Sequence, residues 1–214
     1  MAQQALDQPV YTYRDYLTWP EDHRCELIDG RIFSMAPAPS LDHQTVVVEL
    51  TTQIAMQLRG KPCRVFSAPL DVRLPEGTES ENEITNVVQP DILVVCDANK
   101  LDQRGCLGAP DWIIEVLSPG TAAKDHINKR LLYERRGVLE YWLVHPTDRL
   151  VTIYRLNTEG KYSQAEILET HNRQTVGIMP DLEIDWEIVI VLDSGASGYY
   201  AFDKQPIMKA ARLL

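Results

Sequence analysis

Two acids stand inside apolar stretches where a plain core strand carries none. Asp91 follows Pro90 at the mouth of Ile92-Leu93-Val94-Val95, and Glu115 sits between Trp112-Ile113-Ile114 and Val116-Leu117. Runs this apolar are usually strands buried on both faces. A carboxylate inside one loses its hydration at a large cost unless a cation or hydrogen bonds compensate. Two such acids, 24 positions apart (115 − 91) in consecutive runs, point to one shared cation. Carboxylate oxygens suit a hard ion, Mg2+ or Mn2+, which keeps several waters and accepts phosphate oxygens. The backbone carbonyl of Val116 is the candidate third ligand. A cation held this way polarises a phosphate and helps to generate hydroxide. A lysine close by would orient the attacking water or stabilise the developing charge.

The elements that must position these groups follow from spacing and capping. Thr12, with Asp15 three residues on, starts a short helix that Pro20 ends. Glu26-Leu27-Ile28 and Arg31-Ile32-Phe33 flank Asp29-Gly30, a two-residue hairpin signal. Ser40 starts a longer helix that Gly60 stops. Val46, Val47, Leu50, Ile54 and Leu58 recur on its buried face, and His43 lies one turn earlier with its ring able to face inward. A strand is expected from Val65 to Leu74, with Asp71 within it, and a mobile acidic loop over 75–82. After the two acid-bearing strands, Thr121 to Gly137 reads as a helix with Ile127, Leu131 and Leu132 as its apolar stripe. Three strands, from Glu140, Leu150 and Tyr162, form a meander. A final apolar run extends from Trp186 to Leu192.

The order predicts an α/β (α+β) domain: a central mixed β-sheet flanked by helices, with an N-terminal hairpin and a C-terminal meander. The expected division is a flexible N-terminus over 1–10, one domain over 11–192 and a linker and tail over 193–214. At 214 residues the chain is long enough for a sizeable core. Its net charge of −10 argues against nucleic-acid binding by bulk electrostatics alone, but not against a site that recruits divalent cations. No apolar run reaches the ~20 residues of a membrane span, so no membrane partner is expected. Cys25, Cys63, Cys96 and Cys106 form no CxxC pair. They read as reduced, with neither a disulfide framework nor a zinc site, in a cytoplasmic protein.

Pro90-Asp91 followed by Glu115-Val116-Leu117 resembles the PD-(D/E)xK nuclease pattern, with Leu117 where that pattern has lysine. The combination of Glu26-Leu27-Ile28-Asp29-Gly30, His43, Pro90-Asp91, Glu115-Val116-Leu117-Ser118-Pro119, Asp125, Lys129, Tyr133, Gly137-Val138 and Glu140-Tyr141-Trp142-Leu143-Val144 resembles the Uma2 family. That resemblance covers roughly Tyr11 to Ile190 and implies a restriction-endonuclease-like core, Mg2+ (or Mn2+) as cofactor and DNA as substrate. It implies Asp91 and Glu115 as metal ligands, and Lys129 replacing the missing strand lysine from the following helix. Glu26 would be a further catalytic acid, and His43 would face the site. Lys124 competes with Lys129, and spacing does not choose between them. Enzymes of this fold often act as homodimers, so a homodimer is one possibility and the oligomeric state stays open.

Each residue also has an ordinary reading. Asp91 fits a turn, Glu26 an exposed strand position and His43 a satisfied first-turn histidine. Lys129 fits a surface pair with Asp125 four residues earlier, and Tyr133 and Trp142 fit the core. Two rival functions stay open: a nucleic-acid-binding or regulatory protein without catalysis, and a structural or oligomerisation module whose acids are paired internally.

Overall fold

A six-stranded mixed sheet is the floor on which the two acids meet. The computed structural model describes residues 9–20, 24–35, 39–118 and 123–189. Of the terminal segments expected over 1–10 and 193–214, residues 1–8 and all of the second lie outside these residues. In chain order the helices are α1 (Tyr13–Tyr16), α2 (Leu41–Leu58), α3 (Arg130–Arg136) and α4 (Trp186–Val189). The first strands are β1 (Cys25–Ile28), β2 (Arg31–Ser34), β3 (Arg64–Ser67), β4 (Val72–Arg73), β5 (Val87–Val88), β6 (Ile92–Val95), β7 (Leu101–Asp102) and β8 (Gly105–Leu107). They are followed by β9 (Trp112–Val116), β10 (Glu140–His145), β11 (Leu150–Arg155), β12 (Glu166–Glu169), β13 (Arg173–Val176) and β14 (Met179–Asp185).

The central sheet runs β12-β11-β10-β9-β6-β3, and only the β9/β10 pair is parallel. Period-two alternation divides its side chains between two cores. Ile92, Val94, Trp112, Ile114, Trp142 and Val144 pack on one face with α2, β14 and α4. Leu93, Val95, Ile113, Tyr141 and Leu143 pack on the other with α3 and a second sheet. That second sheet, β2-β1-β5-β4-β8-β7, starts from the expected hairpin. Asp29 and Gly30 turn it with φ of 52° and 67°, the left-handed pair that a tight hairpin requires. In α2, Ser40 Oγ accepts from the His43 N–H, and the five expected core positions are buried.

Several elements depart from expectation. The strand foreseen from Val65 to Leu74 is broken at the Ala68-Pro69 bond, because proline cannot donate to a ladder. Its two halves join different sheets. The 75–82 loop is organised by its own carboxylates: Glu79 accepts from the Gly77 N–H, and Glu83 from the N–H and hydroxyl of Ser80. The third meander strand begins at Glu166, and Tyr162 contributes only an isolated bridge to Leu156. The β13/β14 hairpin was not foreseen, and Trp186 begins a helical turn where an extended run was read. Cys63 and Cys96 form a disulfide, against the reading of four reduced cysteines. They flank Arg64 and Val95, which face each other in the β3/β6 register, so pairing across 33 residues was invisible in the spacing. Cys25 and Cys106 are free and buried.

Candidate metal and catalytic site

The joined ends of β6 and β9 carry the site. Ile92 pairs with Ile114 and Val94 with Trp112, so one more step of the register sets Asp91 opposite Glu115. Each acid reaches the other's strand. Asp91 Oδ2 accepts from the Val116 N–H at 2.8 Å, and the Asp91 N–H lies 3.4 Å from Glu115 Oε2. The N–H and C=O of one residue in an extended strand point the same way, so the Val116 carbonyl also faces the Asp91 side. From α2, His43 Nε2 lies 3.1 Å from Asp91 Oδ2. Burial alone would lower the His43 pKa, but the hydrogen bond and charge of Asp91 and the Val116 backbone raise it.

Glu115 alternates onto the face that meets α3 and β1. Leu117 shares that face and is packed in its core, as strand periodicity predicts. The missing lysine arrives from the helix instead. Lys129 Nζ donates to Glu115 Oε1 at 2.8 Å and lies 2.9 Å from Glu26 Oε1. The helix can deliver it because residues Lys124–Lys129 form a wide π-type segment ahead of α3. Such segments are frequent at functional sites. This segment turns Asp125, Lys129, Leu132 and Tyr133 inward and leaves Ile127 and Leu131 outside, 57% and 45% exposed. The apolar stripe expected from Ile127 and Leu131 is therefore the outer face. Leaving Lys129 unpaired with buried acids costs more than exposing two aliphatic side chains.

The remaining groups interlock. Glu26 on β1 is wholly buried, accepts from the Gln89 N–H at 2.9 Å and binds Lys124 Nζ at 2.5 Å. The exposed-strand reading of Glu26 is thus overturned. Lys124 reaches Glu26, whereas Lys129 bridges Glu26 and Glu115. Asp125 Oδ1 is 3.7 Å from Lys129 Nζ, and both are buried, so theirs is not a surface pair. Tyr133 was read as plain core, yet its hydroxyl donates to Glu115 Oε1 at 3.0 Å. A signal was present: Lys129 and Tyr133 are four apart, so one helix face carries both.

The electrostatics are unbalanced. Glu115, Glu26 and Asp125 converge on Lys129, Lys124 pairs with Glu26, and Asp91 pairs with His43. Burial pushes the Glu115 carboxyl up to about 8, with Lys129 opposing and Asp125, Asp91 and Glu26 adding to the rise. Glu26 is also penalised by burial, but Lys129 and Lys124 outweigh that and hold it below the usual range. Lys129 keeps its proton because Glu115, Glu26 and Asp125 overcome its desolvation. One lysine charge is shared by too many acids.

A hard cation fits this donor set. Among the described residues no hydrogen bond is made to Asp91 Oδ1, and Glu115 Oε2 has only the long contact to the Asp91 N–H. Two such oxygens and one carbonyl, completed by water, match the coordination habit of Mg2+. No trio of His, Cys, Asp or Glu side chains among the described residues is arranged to hold a metal alone. No described helix is long and apolar enough to cross a membrane.

Comparison with known proteins adds three findings. The Uma2 family profile, described as "Putative restriction endonuclease", matches residues 13–188. An uncharacterized protein from Synechocystis sp. (strain PCC 6803) is 29% identical over 157 residues, covering 72% of this chain and 78% of the relative. The crystal structure of a "putative nuclease belonging to DUF820" from Anabaena variabilis ATCC 29413 has a TM-score of 0.67 at 23% identity. That alignment covers 84% of this chain and 97% of the other, and it shows a shared mixed α+β fold.

Proposed function

Because the chain belongs to the Uma2 family, we propose that it is a divalent-cation-dependent DNA endonuclease whose cation is held by Asp91 and Glu115. A nuclease-type function on nucleic acid is what the family supports. The finer reading rests on one observation: Asp91 and Glu115 meet at the ends of β6 and β9, with Glu115 buried beside Lys129 and its Oε2 left only the long contact to the Asp91 N–H.

Asp91, Glu115 and the Val116 carbonyl would hold Mg2+ or Mn2+, which supplies a polarised phosphate oxygen and a water of lowered pKa. Lys129 keeps a charged Nζ beside Glu115 Oε1, where it orients the attacking water and steadies charge developing on the phosphate. Glu26 and Lys124 hold Lys129 in place from the other side. Tyr133 fixes the rotamer of Glu115, and His43 fixes that of Asp91. Lys124 is assigned the supporting role because its partner among the described residues is Glu26.

The test is nicking of supercoiled plasmid in Mg2+ or Mn2+ against EDTA, beside Asp91→Ala, Glu115→Ala and Lys129→Ala. Cation-dependent nicking by the parent and its loss in the variants is the expected result. Cleavage retained in all three variants overturns the assignment. Leu117 in the motif-lysine position favours one alternative, a binder without catalysis. That protein would bind DNA without nicking it and would take up no Mn2+.

A further inference from the structure

Two short crossings carry the chain between the central sheet and the second sheet. One, over 68–71, leaves β3 and enters β4, and the other, over 89–91, leaves β5 and enters β6. The site spans the joint they make: Asp91 and Glu115 meet at the central sheet, whereas Glu26 stands on β1 of the second. The crossings are laced together twice. The Ala68 N–H donates to the Asp91 carbonyl at 3.0 Å, and Gln89 Nε2 donates to Asp71 Oδ1 at 2.8 Å. The same Asp71 oxygen accepts from the Tyr16 hydroxyl at 3.0 Å. An ionised aspartate only accepts, so the glutamine amide turns its nitrogen toward it. Asp71 is itself held in place. Its carbonyl accepts from the Cys106 N–H at 2.9 Å, and Gly105 passes so close that a Cβ there would collide with that oxygen.

Gln89 joins three parts of the molecule. Its side chain is clamped on Asp71, its N–H donates to Glu26 Oε1 at 2.9 Å, and Pro90-Asp91 follows it directly. Glu26 Oε1 is also the oxygen that faces Lys129 Nζ. A shift of the Gln89 peptide therefore moves the partner that sets the lysine beside Glu115. We infer that Gln89, clamped by Asp71 and Tyr16, is a positioning residue that sets the Glu26–Lys129 half of the site against the Asp91–Glu115 half. It touches neither cation nor phosphate. Asp91 and Glu115 are held to each other by the β6/β9 register, so loss of the clamp leaves cation uptake intact and misplaces Lys129. A misplacement of ~1 Å can cost up to about a hundredfold in rate. The inference rests on the nuclease reading and adds the residue that aligns its two halves.

The experiment compares the full chain with Asp71→Ala, Gln89→Ala and Asp71→Asn. Both alanine variants lose the clamp, while the asparagine keeps the oxygen that accepts from Gln89 and Tyr16. Asp71→Ala and Gln89→Ala lower kcat for plasmid nicking in Mn2+ by about tenfold. Mn2+ uptake by calorimetry stays at the parent level in both, and Asp71→Asn restores kcat. Exchange of the Gln89 amide, followed by NMR in EDTA, speeds by about tenfold in Asp71→Ala and keeps the parent rate in Asp71→Asn. Parent-level kcat in both alanine variants, an equal loss in Asp71→Asn, or an unchanged Gln89 amide in Asp71→Ala overturns the inference. Loss of Mn2+ uptake along with kcat marks a general collapse and overturns it too. A parent chain that does not nick sinks the nuclease reading instead, and the amide measurement, made without metal, still decides the clamp.

Discussion

Two buried glutamates on neighbouring strands live in opposite circumstances. Glu140 opens β10 and Glu115 nearly closes β9, and Glu140 is as inaccessible as Glu115. Glu140 is surrounded by donors. It accepts from Trp142 Nε1 at 2.7 Å, from the N–H groups of Gly177 and Ile178 at 3.2 and 2.8 Å, and lies 3.4 Å from Arg155 Nε. A Cβ at Gly177 would come within 2.3 Å of Arg155 Nε and 2.8 Å of Glu140 Oε2, so a larger residue there would displace those two side chains. Glu115 has two donors on one oxygen and other acids close by. Burial alone therefore does not identify a functional acid. The ratio of acids to donors does: Glu140 ties the β13/β14 hairpin to the sheet, and Glu115 has an oxygen in reserve.

The contrast is broken most severely by Glu115→Gln, which keeps the volume and removes the ability to ionise and ligate a cation. Cleavage falls by about a thousandfold, the scale of a lost transition-state electrostatic contact. The melting temperature holds or rises because an acid leaves an acid-rich site, and a large fall in it would make Glu115 structural like Glu140. Glu140→Ala is the mirror experiment. It leaves Trp142 Nε1 and the N–H groups of Gly177 and Ile178 without their acceptor, while Arg155 keeps Glu166, and lowers stability by about 3 kcal/mol, read by urea titration, while cleavage per folded molecule is unchanged.

The pH response is next in size. Folded Glu115 holds its proton to about pH 8, and an ordinary glutamate releases it near 4.5. Between those values the folded chain binds more protons than the unfolded one, so its stability falls as pH rises through that window. Urea midpoints in EDTA show this decline, Mn2+ flattens it, and Glu115→Gln lacks it. An identical slope in that variant would assign the decline to another group. Tyr133→Phe is the mildest change. It removes one hydrogen bond to Glu115, costs about 1 kcal/mol of stability, and slows cleavage by a few-fold at most.

Much of this was legible because it is local. The Asp29-Gly30 turn, the five core positions of α2 and the two acid-bearing strands all follow from period and turn chemistry. Asp91 and Glu115 were found because their neighbours are apolar. What stayed hidden depends on register or on pairing across the fold. Glu26 entered only through the family resemblance, beside an exposed-strand reading, because the lysines that neutralise it lie about a hundred positions later. The inward face of the α3 region was misread because Ile127 and Leu131 outrank Asp125 and Lys129 in hydropathy. No periodicity rule foresees a π-type turn that buries the charges instead. Cys63 and Cys96 met through the β3/β6 register, and Pro69 divided a run that composition alone made continuous.

Calorimetric titration of the metal-free chain with Mn2+ near neutral pH, in two buffers of different ionisation enthalpy, goes straight to the shared-cation idea. One ion should bind per chain with release of a proton from Glu115, and Asp91→Ala should abolish the uptake. A parent chain that takes up no Mn2+, or an Asp91→Ala chain that binds it undiminished, would contradict that idea.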